Sequence, residues 1–393
     1  MLFIQKSRSK AEKTSEGKKL SIKNNAELFA ERDAPSLRLL GNYFKLGFIY
    51  TLRLSAKRAF ATPRISIKKE RYDTVSIASK FSLALCTTVL ALGLAVPALA
   101  DPADISGMTN LNQNAIITVS DVKTKSDKPR LHILQVKDEK GAKFLPIEVS
   151  AWDVNGDSSA QKASDLEAIC QVPGRPYHFY AFESGYWKGG SGRAFEIEVG
   201  HDPYSGWIAR VVNVFNPFPM PADGMTPDHL QIEGCAALQD GQQNIYILLG
   251  LRGDSDHAGQ LVVTRLEDNK FVELERKNID LRDFLNGGRS CSDLNLQPNG
   301  ENKFRILSVG TTDEGDLGPF DSVICEVGTV EIKDKGYKLS MLKEPVQNYR
   351  INGLKVESLC SYFGENSDLC IGTDDEAFHV VFRPLPRLQK AKK

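Results

Sequence analysis

One short stretch recurs along the chain at a nearly constant interval, and it constrains the fold more than any other feature. Each good copy places an acidic residue inside an apolar, strand-like segment. These copies are Asp165-Leu166-Glu167-Ala168-Ile169-Cys170, Gln231-Ile232-Glu233-Gly234-Cys235-Ala236 and Lys355-Val356-Glu357-Ser358-Leu359-Cys360, with weaker ones at Ile105–Met108 and Arg289–Leu294. Glu233 follows Glu167 by 66 residues, and Glu357 follows Glu233 by 124, or two intervals of 62. Intervals of this length are typical of repeat architectures.

The segments between the copies predict strands. From Asp101 onward, short runs of β-branched and aromatic residues alternate with Gly, Asn, Asp and Pro clusters. They form five sets of about four strands, over 104–152, 164–216, 231–282, 289–347 and 353–388. We therefore expect an all-β fold, a β-propeller of five blades with about four antiparallel strands each. Four or six blades, and a two-sheet sandwich, are the alternatives. The fifth set is one strand short, which suggests that the segment near Asp101 helps to close the ring.

The amino-terminal part differs in charge from the rest. Residues 1–80 carry 18 Lys and Arg against 7 Asp and Glu, whereas the whole chain carries 50 of each. Lys80 precedes an uncharged apolar run that ends in Ala98-Leu99-Ala100, the pattern of a signal peptide cleaved between Ala100 and Asp101. A membrane anchor is the alternative, since the run is long enough to span a bilayer. We expect a periplasmic or secreted protein, attached to a membrane only if the signal is retained.

Three regions follow from this pattern. Residues 1–74 are expected to be a disordered basic extension, 75–100 the signal peptide and 101–393 the propeller domain. A signal peptide that begins so late suggests that translation starts near Val75. Six cysteines remain after cleavage, which permits disulfides in an exported protein. If Tyr362 pairs with Asp368 in a hairpin, Cys360 lies opposite Cys370, and a disulfide between them is one alternative.

The fold predicts where charged residues meet. In a propeller blade the first strand lines the central channel, so its start and the end of the second strand lie at the same mouth. The expected charged positions at this mouth are Glu167, Glu233 and Glu357 from first strands, Asp121, Glu183, Asp313 and Asp374 from second strands, and Arg252 and Arg289. Charged groups are rarely buried without a partner, so their convergence requires an explanation.

Two interpretations compete for this charged mouth. The first is a hard-cation site, with calcium as the expected cofactor and Glu167, Glu233, Glu357, Asp121, Asp313 and Asp374 as candidate ligands. Under it, Arg252, Arg289 and Glu183 are candidates for binding a small anionic ligand. The second is a set of ion pairs that only hold the blades in register. The sequence does not separate the two.

Other chemistries have little support. The six histidines show no metal-ligand spacing, and neither a Gly-x-Ser-x-Gly elbow nor a Gly-rich phosphate loop is present. An acidic body argues against nucleic acid as a partner.

Several phrases, taken in order, resemble a known family. They are Glu183-Ser-Gly-Tyr-Trp-Lys-Gly-Gly-Ser-Gly-Arg193, Leu248-Leu-Gly-Leu-Arg-Gly253, Gly288-Arg-Ser-Cys-Ser-Asp-Leu294, Gly318-Pro-Phe320, Val356-Glu-Ser-Leu359 and Gly372-Thr-Asp-Asp-Glu376. Over roughly 104–388 the chain resembles the domain-of-unknown-function family 3616, which is similar to esterase-like phytase propellers. Ala168 and Ser358 depart from the Gly that the family pattern prefers.

The resemblance implies an exported propeller without an established activity. Three functions remain open. The first is binding of a cation, and of a small ligand, at the acidic mouth. The second is metal-assisted hydrolysis of phosphate or carboxylic esters, in which Arg252 or Arg289 would hold the anion. The third is a non-catalytic scaffold that binds another envelope protein.

Overall fold

A computed structural model describes residues 104–138, 141–185, 192–216, 227–285, 288–312, 315, 317–364, 366–374 and 380–388. The predicted extension, the signal peptide and its cleavage site lie outside these residues, as does Asp313. Within the described residues, no helix combines the length and hydropathy needed to cross a bilayer.

The fold is a five-bladed β-propeller, as the repeat predicts. Blade one contains β1 (Gly107–Asn112), β2 (Ala115–Val119), β3 (Leu131–Asp138) and β4 (Gly141–Pro146). Blade two contains β6 (Leu166–Gln171), β7 (His178–Glu183), β8 (Ala194–Asp202) and β9 (Gly206–Phe215), with β5 (Glu148–Val149) parallel to β9. Blade three contains β10 (Ile232–Gln239), β11 (Ile245–Leu251), β12 (Gly259–Glu267) and β13 (Lys270–Ile279).

The last two blades complete the set. Blade four contains β14 (Arg289–Pro298), β15 (Lys303–Thr311), β16 (Asp321–Ile332) and β17 (Tyr337–Asn352). Blade five contains β18 (Val356–Ser361), β19 (Leu369–Thr373) and β20 (Phe382–Leu385). It thus has three described strands, which agrees with the short fifth set. Two short helices, a 3-10 turn at Asp228–Leu230 and α1 at Arg282–Leu285, precede blades three and four.

The core lies between the blades. Each pair of adjacent blades shares one hydrophobic cluster, and a fifth cluster joins blade five to blade one. Alternation along β11 shows the cause, because Ile247 and Leu249 face blade two while Tyr246 and Leu248 face blade four. A strand that is apolar on both faces must be covered on both sides, and the ring provides this.

The ring closes beside the first described residues. The Ile105 amide donates to the Thr373 carbonyl of blade five at 3.2 Å. Ile105 also packs with Cys360 and Cys370 in the cluster that joins the two blades. In this hairpin the Tyr362 amide donates to the Asp368 carbonyl, and Cys360 is directly opposite Cys370, as predicted. All six described cysteines are free thiols.

The five first strands surround a central channel and lie very close together. A Cβ added to Gly234 of β10 would lie 2.5 Å from the Leu294 amide nitrogen of β14. A contact this short leaves no room for a side chain, so glycine is required there. The residue after the repeated acid is therefore small because it faces the neighbouring inner strand.

Candidate functional site

The charged mouth of the channel is a small cavity of about 160 Å³. It is lined by Asp121, Lys123, Asp165, Glu167, Gln231, Glu233, Arg252, Arg289, Lys355, Glu357 and Asp374. A water molecule occupies about 30 Å³ in the liquid, so the cavity has room for an ion with a few waters or for a ligand of a few atoms. We call this set of residues the charged mouth.

Local strand geometry explains why the repeated glutamates reach the channel. In blades two, three and five, the register of the first strand against the second shifts across one residue. That residue is Glu167, Glu233 or Glu357, so each is the extra residue of a β-bulge. A bulge leaves its extra residue outside the ladder and re-aims its side chain. The acid in the repeat is therefore a consequence of the bulge at the channel entrance.

The structure brings most of the predicted residues together. The charged mouth is lined by seven of them, namely Asp121, Glu167, Glu233, Glu357, Asp374, Arg252 and Arg289. Asp313 lies outside the described residues.

Glu183 does not line the charged mouth. Its side chain is fully buried beside blade two, where Arg193 Nη2 approaches Oε1 at 2.6 Å. The backbone amides of Ser164 and Arg193 also donate to its carboxylate, each at 2.9 Å. With Arg193 and these amides as partners, Glu183 has a structural role. Its side chain is not at the mouth, where we predicted it.

Ion pairs connect blades three, four and five around one side of the mouth. Glu233 lies 3.7 Å from Arg252 Nη1 and 4.0 Å from Arg289 Nη1. Arg289 Nη1 also lies 3.3 Å from Glu357, which in turn is 3.1 Å from Lys355 Nζ. Because each acid here has a basic neighbour, this side conforms to the ion-pair interpretation.

The same network continues to the end of blade five. Lys355 Nζ donates to Asp374 Oδ2 at 3.4 Å, and Arg252 Nη1 donates to Gln231 Oε1 at 3.0 Å. Lys355 is almost fully buried, at 3% exposure. Removing a charge from so buried a network leaves its partner uncompensated, which is costly.

The opposite side of the mouth, between blades one and two, is different. Lys123 contacts both Asp121, at 2.9 Å, and Asp165. Ser184 Oγ also donates to Asp165. Glu167 belongs to the same group, because one oxygen from each of Asp121, Asp165 and Glu167 lies within 4.8 Å of the others. Within the described part of the chain, the Glu167 carboxylate has no basic side chain within ion-pair distance.

Burial and mutual repulsion perturb these carboxyl groups. Burial raises the pKa of Glu167 well above its ordinary value, and the carboxylates of Glu233 and Asp165 raise it further. Burial also raises the pKa of Glu233 to about 8, against the lowering effect of Arg289. The pKa of Asp121 rises to about 6 through burial, despite Lys123. Burial thus favours the protonated forms of all three carboxyl groups.

The lining contains more acidic than basic side chains. Six carboxyl groups face four basic groups in the charged mouth. When every group is ionised, the lining carries two net negative charges, which equals the charge of one divalent cation. Two protons on the carboxyl groups would have the same effect.

Four residues of the mouth were not predicted, namely Lys123, Asp165, Gln231 and Lys355. Three of them share a signal in the sequence, since Asp165, Gln231 and Lys355 each precede a repeated glutamate by two residues. A polar-x-Glu pattern thus marks the start of the first strand in blades two, three and five, whereas Lys123 has no such signal.

No protein-family model matches the chain, and no curated protein matches it. Three solved structures with partial similarity are a bifunctional GH43-CE protein from Bacteroides eggerthii, the WD40 β-propeller domain of Doa1 and an exo-1,5-α-L-arabinanase from a bovine ruminal metagenomic library. Their sequence identities are 10%, 9% and 9%, with TM-scores of 0.37, 0.33 and 0.39.

The extent of these matches varies. They cover 70%, 72% and 75% of this chain, and 32%, 93% and 98% of the three structures. The chain thus spans about a third of the length of the bifunctional protein. Similarity at this level gives no indication of a shared ligand or activity.

Proposed function

We propose that the charged mouth binds a divalent cation, with calcium as the ion and Asp121, Asp165 and Glu167 as its central ligands. The observation that carries the proposal is the grouping of these three carboxylates within 4.8 Å. Calcium binds oxygen ligands at about 2.3–2.6 Å, so two ligands on opposite sides of one ion are about 5 Å apart. The spacing therefore suits a single shared ion.

Lys123 is the main competitor for this position. Its ammonium group contacts Asp121 and Asp165, which are two of the three proposed ligands. The Lys123 side chain is 47% exposed, so it can turn into solvent when an ion enters. Since binding must displace this contact, we expect an affinity on the order of 10⁻⁴–10⁻³ M, the range of extracellular calcium modules.

This range suits an exported protein, which is the location proposed from the sequence. Amino-terminal sequencing of the exported product would test the location by itself. A first residue of Asp101 is expected, whereas a product that retains residues 75–100 would contradict cleavage.

The cation site is tested by Glu167→Gln. The substitution keeps the size of the side chain and resembles its protonated form, so the variant should fold at least as stably as the wild type in chelator. Saturating wild-type protein at 100 times its Kd should raise its free energy of unfolding by about 2.7 kcal/mol. Most of this gain should be absent from the variant, as measured by chemical unfolding with calcium and with chelator.

A matched control is Glu273→Gln, on the outer strand of blade three. Glu273 pairs with Arg276 at 2.7 Å, and both side chains are partly exposed. This variant should respond to calcium as the wild type does. An equal calcium response in Glu167→Gln, or no response in the wild type, would contradict the proposal.

The two alternative functions have less support. Ester hydrolysis needs a basic group to hold the anion, but Arg252 and Arg289 both already neighbour Glu233. An envelope scaffold needs a surface that selects a partner, and no described surface identifies one. Cation binding uses Asp121, Asp165 and Glu167, of which the first two share the basic side chain of Lys123.

A further inference from the structure

A second group of metal-ligand side chains lies outside the charged mouth, and it has different chemistry. It consists of His229, Asp254 and His257, which each offer one ligand atom within 4.8 Å of the others. His229 belongs to the 3-10 turn before β10, and the other two belong to the loop after β11. Although 25 residues separate His229 from Asp254, blade three brings them together.

The two imidazole rings and the carboxylate are in direct contact. The rings of His229 and His257 stack with centroids 4.0 Å apart and planes inclined by 14°. Asp254 lies 2.8 Å from His257 Nδ1 and 3.8 Å from His229 Nδ1. A single carboxylate therefore lies next to two imidazoles, whereas a simple His–Asp hydrogen bond involves only one.

The backbone fixes this arrangement before any ligand is present. The Gly253 amide donates to the His229 carbonyl at 3.0 Å, which joins the two segments. Gly253 has φ +69°, and a Cβ there would lie 2.4 Å from the Gly259 nitrogen, so the tight loop requires glycine. The amides of Asp256 and His257 both donate to Asp254 Oδ1, at 2.8 and 2.6 Å.

The short helix that precedes blade four supports the loop as well. Arg282 Nη1 of helix α1 donates to the Ser255 carbonyl at 3.3 Å. Burial tends to raise the pKa of Asp254, but hydrogen bonds from the His257 side chain and from the Asp256 and His257 amides outweigh this and hold it below its ordinary value. The carboxylate is therefore ionised at neutral pH, as a metal ligand must be.

From this geometry we infer that His229, Asp254 and His257 form a site for a zinc-class divalent metal ion. Two imidazole nitrogens and one carboxylate oxygen are a donor set typical of Zn²⁺ and unsuited to Ca²⁺, which takes oxygen ligands. Three protein ligands leave the fourth tetrahedral position for water or another ligand. The His257 side chain is 55% exposed, so an ion can enter from solvent.

Titration of the chelator-treated protein with zinc chloride, followed by calorimetry, tests the inference. We expect one saturable binding event per chain. His229→Ala and His257→Ala should each weaken it by roughly tenfold or more, since changing even an outer partner of a ligand costs about that much. The described cysteines are all buried.

Two control variants make the outcome specific. His201→Ala removes an exposed histidine that contacts Trp207 in blade two, and it should bind zinc as the wild type does. Glu167→Gln should also retain zinc binding while it loses the calcium response, which separates this site from the charged mouth. Imidazole ¹⁵N spectra provide a second readout, in which the rings of His229 and His257 should shift on addition of zinc.

Equal zinc affinity in wild type, His229→Ala and His257→Ala would overturn the inference. So would unchanged imidazole signals for both residues at saturating zinc.

Discussion

The two mouths of the channel are built by the same five strands, yet the side chains that line one are almost all charged and those that line the other are mostly uncharged. The charged mouth, at the strand starts, has a volume of about 160 Å³ and is lined entirely by charged or amide side chains. The other, at the later residues of the same strands, has a volume of about 490 Å³. Its lining includes Cys170, Cys235 and Cys360, together with Met108 and Asn295.

The difference follows from local strand geometry. At the strand starts, bulges aim Glu167, Glu233 and Glu357 into the channel, where the ends of the second strands add further charges. At the later positions of the first strands in blades two, three and five the register shows no further shift, and the inner residues include neutral ones such as the buried cysteines. The carboxylates that we propose as calcium ligands therefore lie at the mouth that contains the bulges.

The largest expected effect concerns Asp293, which lies on β14 between the two mouths. Its carboxylate accepts from the amides of Leu294, at 2.7 Å, and of Leu359 in blade five, at 2.6 Å. Asp293→Ala leaves two buried amides without this acceptor, each costing about 1–3 kcal/mol. We expect a loss of about 3 kcal/mol in the free energy of unfolding, as measured in urea.

Asp334→Ala is the control for this change, because Asp334 is exposed in the hairpin between β16 and β17 of the same blade. It should change stability by no more than about 0.5 kcal/mol. If both variants lost the same stability, Asp293 would not connect blades four and five.

The next prediction concerns the pH dependence of the charged mouth in chelator. The pKa of Glu233 rises from 4.5 to about 8 on folding, so the folded state binds the proton more tightly than the unfolded state. Its contribution to stability is complete below about pH 4.5 and is lost as the pH rises through about 8. Urea unfolding between pH 5 and 8 should therefore show stability falling with increasing pH.

Glu233→Gln should flatten this profile, because the amide does not titrate. The other mouth has no comparable group among its lining residues, so Gln171→Ala there should leave the profile unchanged. A wild-type slope that persists in Glu233→Gln would show that another group causes it.

The smallest expected effect is the gain from removing the competitor, Lys123. A partly exposed ion pair is worth at most about 1 kcal/mol. Lys123→Met should therefore tighten calcium binding by about fivefold, as measured by calorimetry, while the protein without calcium becomes slightly less stable. Lys125→Met, in the same loop, should leave the affinity unchanged, and an equal gain there would point to general charge effects.

Most of the fold was predictable because the pattern repeats clearly in blades two, three and five and weakly in blades one and four. The apolar runs between the copies indicate the strands of the five sheets. The predicted opposition of Cys360 and Cys370 was also confirmed. The placement of Glu183 could not be predicted, since its partner, Arg193, approaches from the start of β8.

Two features depend on loops whose conformation has no repeat. Lys123 reaches Asp165 because Arg130, itself buried, donates to the Lys123 and Thr124 carbonyls and holds the loop in place. His229 and His257 meet because Gly253 adopts a left-handed turn beside the 3-10 helix. Spacing along the sequence gave no indication of either contact.

The sequence by itself determined the repeat, the five-bladed architecture and the convergence of acidic residues at one mouth, because periodicity and strand order depend on local pattern. Only the tertiary structure decided which acids have basic partners and which carboxylates lie together with fewer basic groups than acids. Pairing depends on separations of a few ångströms between residues such as Lys123 and Asp165, 42 positions apart. Such distances are set by bulges, loops and blade packing together, and no single segment encodes them.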